Sequence, residues 1–139
     1  MTINRVAILV VGDEILSGDT QETNAHYMAC ALSRVGASLG RIVVVPDDLS
    51  EIARFSRELS DEFDVVITSG GIGPTHDDVT MEGIALGLGL PLAAHPQLLD
   101  LLSEWRGSDL DDATARLALV PEGALLHWVD SAFPLVQIR

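Results

Sequence analysis

The stretch that decides the fold is residues 65–80, which read VVITSGGIGPTHDDVT. It opens with an apolar, β-branched run at 65–68, and such a run predicts a buried strand. Three glycines at positions 70, 71 and 73 follow, and they allow the backbone to turn and to approach a ligand closely. A short helix is predicted over residues 80–88, because Gly87 and Gly89 then end it. A strand, a glycine-rich loop and a helix are therefore expected in succession.

Outward from this stretch, strand-like and helix-like segments alternate along the chain. Apolar runs at 6–11 and 42–45 predict two more buried strands. Helices are predicted at 23–35, 95–105 and 109–120, and less regular strands at 124–129 and 135–138. A further helix is expected after Asp48, which is placed to cap it, with a buried stripe of Leu49, Ile52, Phe55 and Leu59. This alternation predicts one α/β domain over residues 1–139 with a mainly parallel sheet.

Composition excludes several classes of protein. The chain has 139 residues, 21 acidic residues and 8 basic residues, all of them arginine, for a formal net charge of −13. Without lysine there is no Schiff-base chemistry and no Walker-type phosphate loop. The charge opposes binding to nucleic acid and to anionic membranes. No apolar run is long enough for a signal peptide or a membrane span, so a cytoplasmic protein is expected. The single cysteine, Cys30, excludes an intrachain disulfide and is expected in the core.

The glycine-rich loop is predicted to bind a phosphate. Successive N–H groups in such a turn form an anion-binding nest, and the following helix N-terminus adds partial positive charge. Hydroxyl groups at both ends of the loop are further donors. The expected ligand-binding residues of this loop are Ser69, Gly70, Gly71, Gly73, Pro74, Thr75 and Thr80.

Two aspartates beside the loop suggest a metal. Asp77 and Asp78 would repel a phosphate unless a cation lay between them, which favours Mg²⁺ or another divalent cation held by these two residues as the catalytic pair. The alternative is that one aspartate caps the following helix while the other faces water.

The turn after the first strand, Gly12-Asp13-Glu14, is expected to line the same pocket, although it would also suit a solvated turn. Asp47 and Asp48 after the second strand are interpreted as helix-capping residues.

Several of these motifs together resemble a known family. They are similar to motifs of the MoaB/Mog molybdopterin-binding domain family. The motifs are GDEILSG at 12–18, Thr23-Asn24, VPDD at 45–48, SGGIGPTHDDVT at 69–80 and PEGA at 121–124. Within this family, they look most like the N-terminal domain of CinA proteins and the corresponding domain of FAD synthases. The resemblance covers nearly the whole chain and implies a three-layer α/β/α fold.

The resemblance also implies a function and an assembly. It implies a phosphorylated small-molecule ligand and, first, metal-dependent hydrolysis of a nucleotide pyrophosphate of the ADP-ribose or FAD type. The alternatives are molybdopterin binding or adenylation in molybdenum cofactor biosynthesis, and non-catalytic nucleotide binding in a regulatory domain. A homo-oligomer, either a dimer or a trimer, is expected. CinA-like chains continue past the position of Arg139 into another strand and turn, so either this chain is truncated at its C-terminus relative to the family or its gene is short.

Overall fold

A parallel sheet forms the centre of the fold. The computed structural model describes residues 5–130 and 132–139. In it, β1 (Arg5–Val11) lies between β2 (Ser38–Val45) and β3 (Val65–Ser69), and all three strands run parallel. Ile8 of β1 is paired with Ile42 on one side and with Ile67 on the other. The three long apolar runs of the sequence thus become three adjacent strands, as predicted.

Helices cover both faces of this sheet. Alternate residues of β1 point to opposite faces. Ile8 and Val10 pack with Ala25 of α2 (Asn24–Arg34). On the other face, Leu9 belongs to a buried cluster with Ile52 of α3 (Leu49–Glu62) and residues of α4 (Thr80–Leu88). Each fully buried aliphatic side chain here contributes about 1.5–3 kcal/mol. The predicted three-layer α/β/α fold is confirmed.

The two helices on one face pack closely at two glycines of α4. A Cβ atom on Gly83 of α4 would lie 2.4 Å from Ile52 Cγ2, and one on Gly87 would lie 2.3 Å from the carbonyl oxygen of Ala53. Both distances are shorter than any real Cβ contact, so only glycine permits this approach. Gly89, in the left-handed conformation, then ends α4 where the sequence predicts.

The C-terminal third adds two small antiparallel pairs. Its elements are β4 (Leu92–Ala94), α5 (Pro96–Arg106), α6 (Asp112–Arg116), β5 (Leu119–Pro121), β6 (Leu125–His127) and β7 (Leu135–Gln137). β4 pairs with β5, and β6 pairs with β7. A separate buried cluster joins α5 to β5 through Leu98, Leu102 and Val120. No helix in residues 5–130 and 132–139 is long and apolar enough to cross a membrane.

Some predictions about local structure are wrong. The helix predicted over 109–120 is only α6, because the apolar residues after it pair with β4 instead. A one-turn helix, α1 (Asp13–Leu16), follows β1 and was not predicted. Leu49 is exposed rather than part of the buried stripe of α3, whereas Ile52 and Leu59 are fully buried. Cys30 is exposed, and its Sγ lies 3.8 Å from Nε2 of His26.

Candidate functional site

The candidate site lies where the three parallel strands end. β1, β2 and β3 end at Val11, Val45 and Ser69, and their carboxyl ends share one edge of the sheet. With the strand order β2-β1-β3, the chain passes from β1 to the strand on one side of it and then crosses to the strand on its other side. Ligands of open α/β sheets bind where the strand order reverses in this way. The predicted loops therefore meet at the edge where a ligand is expected.

The glycine-rich loop is held against the end of β1. Gly70 has a φ of +93°, and a Cβ atom there would lie 2.0 Å from the carbonyl oxygen of Val11. Thr80 is fully buried, and its hydroxyl donates to the carbonyl oxygen of Gly70 at 2.8 Å. Its amide donates to the Gly71 carbonyl oxygen at 3.1 Å. This corrects the expectation that the Thr80 hydroxyl meets a phosphate, because that hydroxyl fixes the loop instead.

Asp78 holds the second half of the loop in place. Its Oδ2 accepts from the amide of Thr75 at 2.9 Å and from the Thr75 hydroxyl at 2.7 Å. Partial burial acts to raise the pKa of Asp78. Hydrogen bonds from Thr75 and the Gly73 amide, with the charge of Arg116, outweigh it and hold the pKa below its ordinary value. Asp78 is therefore a carboxylate at neutral pH, with one oxygen committed to the loop.

Asp77 is in a different situation from its neighbour. Its side chain is 76% exposed, and one carboxylate oxygen lies 3.3 Å from Nε2 of His76. The residue that caps α4 is Val79, and it makes no side-chain capping hydrogen bond. Neither Asp77 nor Asp78 therefore caps the helix, and Asp77 has the more accessible carboxylate of the two.

The loops after β1 and β2 are joined by two aspartates. The amide of Asp13 donates to Asp47 Oδ2 at 3.0 Å, and the amide of Asp47 donates to Asp13 Oδ1 at 3.1 Å. Asp48 caps α3 by accepting from the Glu51 amide at 2.9 Å, as predicted. Asp47 does not cap the helix, so that half of the prediction is wrong, and Asp47 belongs to the candidate site.

These loops enclose an acidic cleft of about 530 Å³. Six carboxylates and two hydroxyl groups line it, and none of the described lining residues is basic. We call it the acidic cleft, and its lining residues are Asp13, Glu14, Ser17, Asp19, Asp47, Thr75, Asp77 and Asp78. Two unit charges 4 Å apart repel by about 4 kcal/mol at an effective dielectric constant of 20. An anionic phosphate would therefore enter this cleft only together with a cation.

An apolar pocket adjoins the acidic cleft. It has a volume of about 350 Å³ and shares Asp78 with the cleft. Gly71 and Gly73 line it, together with apolar side chains from α4, β5 and the segment around β7 that include Met81, Val120, Phe133 and Val136. Such a pocket suits a flat ring system, since ligand sites combine apolar walls with a few polar groups. Sequence analysis missed this pocket, because its walls are brought together only by the tertiary fold.

Arg116 connects the apolar pocket to the loop. Its guanidinium donates to the carbonyl oxygens of Thr75 at 3.1 Å and Asp78 at 3.2 Å, and to Glu82 Oε1 at 3.1 Å. The side chains of Arg116 and Glu82 are 31% and 29% exposed, so the ion pair is partly desolvated. Sequence analysis did not place Arg116 in the site. Thr75 is 41 residues away along the chain, and no local pattern signals such a contact.

Not all predicted ligand-binding residues line a cavity. Five line neither cavity: Gly12, Ser69, Gly70, Pro74 and Thr80. Gly12 is buried and its amide donates to the Val45 carbonyl oxygen at 3.0 Å. The hydroxyl of Ser69 accepts from Asn24 Nδ2 at 3.2 Å. The structure brings Asp13, Glu14, Thr75, Asp77 and Asp78 together in the acidic cleft.

The carboxylate oxygens of the cleft suit a hard cation that is bound partly by the protein and partly by a phosphate of the ligand. In the part of the chain that the structure describes, no group of three or more histidine, cysteine or acidic residues is arranged to hold a metal ion by itself. Mg²⁺ is usually bound by one or two carboxylates together with waters and substrate phosphates. The carboxylates of Asp77 and Asp78 fit that role.

Comparisons with known proteins agree with this architecture. Residues 7–130 match the family model described as "Probable molybdopterin binding domain". The chain is 41% identical over 125 residues to a CinA-like protein of Citrifermentans bemidjiense, covering 88% of the chain and 30% of that protein. It is 36% identical to a probable FAD synthase of Caenorhabditis elegans, covering 95% of the chain and 30% of that protein.

Solved structures give the same result. The protein CinA of Thermoplasma acidophilum, described as of unknown function, has a TM-score of 0.90 and 32% identity, covering 96% of this chain and 80% of that chain. MoaB of Thermus thermophilus has a TM-score of 0.58 and 26% identity, covering 84% and 71%. The chain spans about half or less of the length of the curated relatives it matches. On its matched residues, its sheet order and its site loops, the chain belongs to the MoaB/Mog family of molybdopterin-binding domains.

Proposed function

We propose that this domain binds a nucleotide pyrophosphate, such as ADP-ribose or FAD, and hydrolyses it with the help of a divalent cation. The observation that carries the proposal is the acidic cleft, with six carboxylates and no basic lining residue among those described, directly beside the glycine-rich loop. A cleft of this charge selects a cation, and the loop beside it selects an anion. A diphosphate bound together with a metal satisfies both.

The apolar pocket supports a ligand with two chemically different parts. Because it shares Asp78 with the acidic cleft, one molecule can place a ring in the pocket and a diphosphate in the cleft. The ring would pack on Met81, Val120 and Phe133, where burial of apolar surface favours binding. Relatives named as probable FAD synthases and CinA-like proteins make a nucleotide ligand plausible.

Each residue of the cleft has a distinct part in this proposal. Asp77 and Asp78 would hold the cation, which when bound neutralises the diphosphate and lowers the pKa of a coordinated water. Thr75 keeps Asp78 ionised and oriented through two hydrogen bonds to Oδ2. Asp13 and Asp47 hold their two loops together through reciprocal hydrogen bonds, and both line the cleft.

Molybdopterin binding is the second candidate, and the match of residues 7–130 to the molybdopterin-binding family favours it. A pterin is also a flat ring joined to a phosphate, so the same two cavities would serve it. In this case the domain would either adenylate molybdopterin or bind it without catalysing a reaction. A non-catalytic regulatory domain is the third possibility, and binding without turnover would identify it.

The experiment is an assay of AMP release from ADP-ribose and FAD in the presence of Mg²⁺ or Co²⁺, followed by chromatography. We expect Asp77→Asn to reduce the rate at least about 10-fold, because it weakens the hold on the cation, and EDTA to abolish it. The control is Asp61→Asn, which makes the same change at an exposed aspartate of α3 that is remote from the cleft.

Two results would decide against the proposal. Equal rates of AMP release in wild type and Asp77→Asn would show that the acidic cleft takes no part in the reaction. No AMP release with either substrate, accompanied by tight binding of molybdopterin, would establish the second candidate instead.

A further inference from the structure

Thr68 and Glu82 bring polar side chains to the apolar pocket from two different elements. Thr68 belongs to β3 and Glu82 to α4, and both line the pocket. Along β3, Val66 packs with the buried cluster of α3 and α4, whereas Ile67 packs with that of α2. Because side chains alternate along a strand, Thr68 faces the same side of the sheet as Val66. Thr68 therefore reaches the pocket from the sheet, and Glu82 reaches it from the helix.

The hydroxyl group of Thr68 is available to a ligand. Within residues 5–130 and 132–139, it has no hydrogen-bond partner. Over the same residues, Ser56 Oγ is the one fully buried side-chain polar atom without a partner, so the Thr68 hydroxyl is accessible. A ring that fills the pocket would displace water from this hydroxyl. If the ring offered no hydrogen bond in return, the loss would oppose binding.

Glu82 offers the pocket an acceptor that is held in place. Its Oε1 accepts from Arg116 at 3.1 Å, and its side chain is 29% exposed. Its Oε2 has no partner in the part of the chain that the structure describes. A carboxylate paired with a guanidinium can only accept hydrogen bonds. The free oxygen therefore favours an N–H group of the ligand and disfavours a phosphate or a carbonyl oxygen.

These two groups together restrict the ring that the pocket can bind. The carboxylate oxygen requires an N–H donor at the edge of the ring, and the hydroxyl can donate to or accept from a neighbouring ring atom. The apolar walls favour a flat ring over a sugar. Adenine meets all three conditions, because its amino group lies next to a ring nitrogen that accepts hydrogen bonds. A ring of the same size without an N–H group leaves the oxygen of Glu82 unpaired.

We propose that Thr68 and Glu82 are specificity-determining residues, which select a nitrogen heterocycle with an N–H donor at its edge, such as the adenine that ADP-ribose and FAD share. Glu82 also sets the direction of binding, because it disfavours the phosphate end of the ligand in the pocket. The inference rests on the proposed function only in placing a diphosphate in the acidic cleft and its ring in the apolar pocket. It does not require hydrolysis.

The test compares three ligands by calorimetry in the presence of Mg²⁺. ADP carries adenine and a diphosphate, purine riboside diphosphate lacks only the amino group, and inorganic pyrophosphate lacks the nucleoside. Wild type should bind ADP about 10-fold more tightly than purine riboside diphosphate, because the second ring leaves a charged acceptor without a donor. Pyrophosphate reports on the acidic cleft alone.

Two variants change the pocket and not the cleft. Thr68→Val keeps nearly the same shape and removes the hydroxyl, so it should weaken ADP binding about 5-fold and leave pyrophosphate binding unchanged. In Glu82→Gln, Arg116 still requires the side-chain oxygen, so the amide nitrogen takes the place of Oε2 and becomes a donor. This variant should lose the preference for ADP and bind purine riboside diphosphate at least as tightly.

Matched controls make the same chemical changes elsewhere. Thr23 precedes α2 and makes no side-chain capping hydrogen bond, and Glu58 pairs with Arg41 at 3.3 Å. Neither Thr23 nor Glu58 is among the described lining residues of the two cavities. Thr23→Val and Glu58→Gln should therefore keep the wild-type preference for ADP. If Glu82→Gln fails to fold, the ligand comparison in wild type and the Thr68→Val variant decide the question.

The outcomes distinguish this inference from the proposed function. Equal affinity of wild type for ADP and purine riboside diphosphate, or no detectable binding of ADP, would overturn the inference. So would a loss in Thr68→Val that is as large for pyrophosphate as for ADP. AMP release from ADP-ribose without a preference for the amino group would overturn the inference and leave hydrolysis intact. A preference that depends on Thr68 and Glu82, in a protein that releases no AMP, would support the inference and refute hydrolysis.

Discussion

Replacing Gly70 by alanine tests the attachment of the glycine-rich loop to the sheet. The φ of +93° disfavours any residue with a Cβ atom, at a cost of about 1–3 kcal/mol. The added methyl group would also lie 2.0 Å from the carbonyl oxygen of Val11, which belongs to the buried central strand. Because that strand cannot move freely, the clash adds a further penalty of about 1–3 kcal/mol, typical of overpacking in a core.

Gly107→Ala is the control that isolates the clash. Gly107 also has a φ of +93°, but a Cβ atom there would meet nothing within 4 Å. Because both variants place a Cβ atom at the same positive φ, the difference between their losses of stability reports mainly the clash, about 1–3 kcal/mol. For a chain of this length, about 4 °C per kcal/mol gives a difference in Tm of about 4–12 °C.

The assay is urea unfolding at pH 7 followed by circular dichroism, with thermal unfolding as a second measurement. Gly70→Ala should also weaken the binding of Mg²⁺ with pyrophosphate, because the loop must shift away from β1. Equal losses of stability in Gly70→Ala and Gly107→Ala, within about 0.5 kcal/mol, would show that the contact with Val11 is not a constraint.

Two other predictions follow from the loop's hydrogen bonds. Thr80→Val should destabilise the protein by about 1–3 kcal/mol in urea unfolding, because it leaves the Gly70 carbonyl oxygen without its donor. Thr80→Ser keeps the hydroxyl group and should restore most of that stability. Equal stability of the two variants would contradict this prediction. The lowered pKa of Asp78 means that its ionised form stabilises the fold above about pH 3.8 and that this contribution disappears as the pH falls through the lower folded pKa. Asp78→Asn should therefore be less stable than wild type at pH 7, and the gap in Tm should narrow below pH 3.8; a constant gap from pH 7 to pH 3 would contradict the assignment.

The sequence predicts the sheet and the position of the site better than it predicts their details. Residues 6–11 are apolar throughout, so they can only be buried on both sides, and the structure gives them helices on both faces. The stretch after α6 is different. Its apolar residues suit a helix or a strand equally, and only pairing with β4, more than 20 residues earlier, selects the strand.

The candidate site shows the same difference between what the sequence predicts and what depends on tertiary contacts. Acidic residues directly after parallel strands were predicted to meet, because strand ends share one edge. The reciprocal hydrogen bonds between Asp13 and Asp47 depend on how β1 and β2 are aligned, which the residues themselves do not reveal. Likewise, the role of Thr80 was misassigned, since a threonine after a glycine-rich turn can face either a ligand or the loop's own carbonyl groups.

The glycine contacts between α3 and α4 also limit how the site can move. Gly83 lies directly against the side chain of Ile52 and Gly87 against the backbone of Ala53, and this close packing opposes sliding or rotation of α4 along α3. The first residue of α4, Thr80, is therefore a fixed anchor, and Ser69 at the end of β3 is another. Any adjustment to an incoming ligand must therefore come from backbone torsions in residues 70–79. Ligand binding should rearrange this loop and leave α4 and the sheet in place.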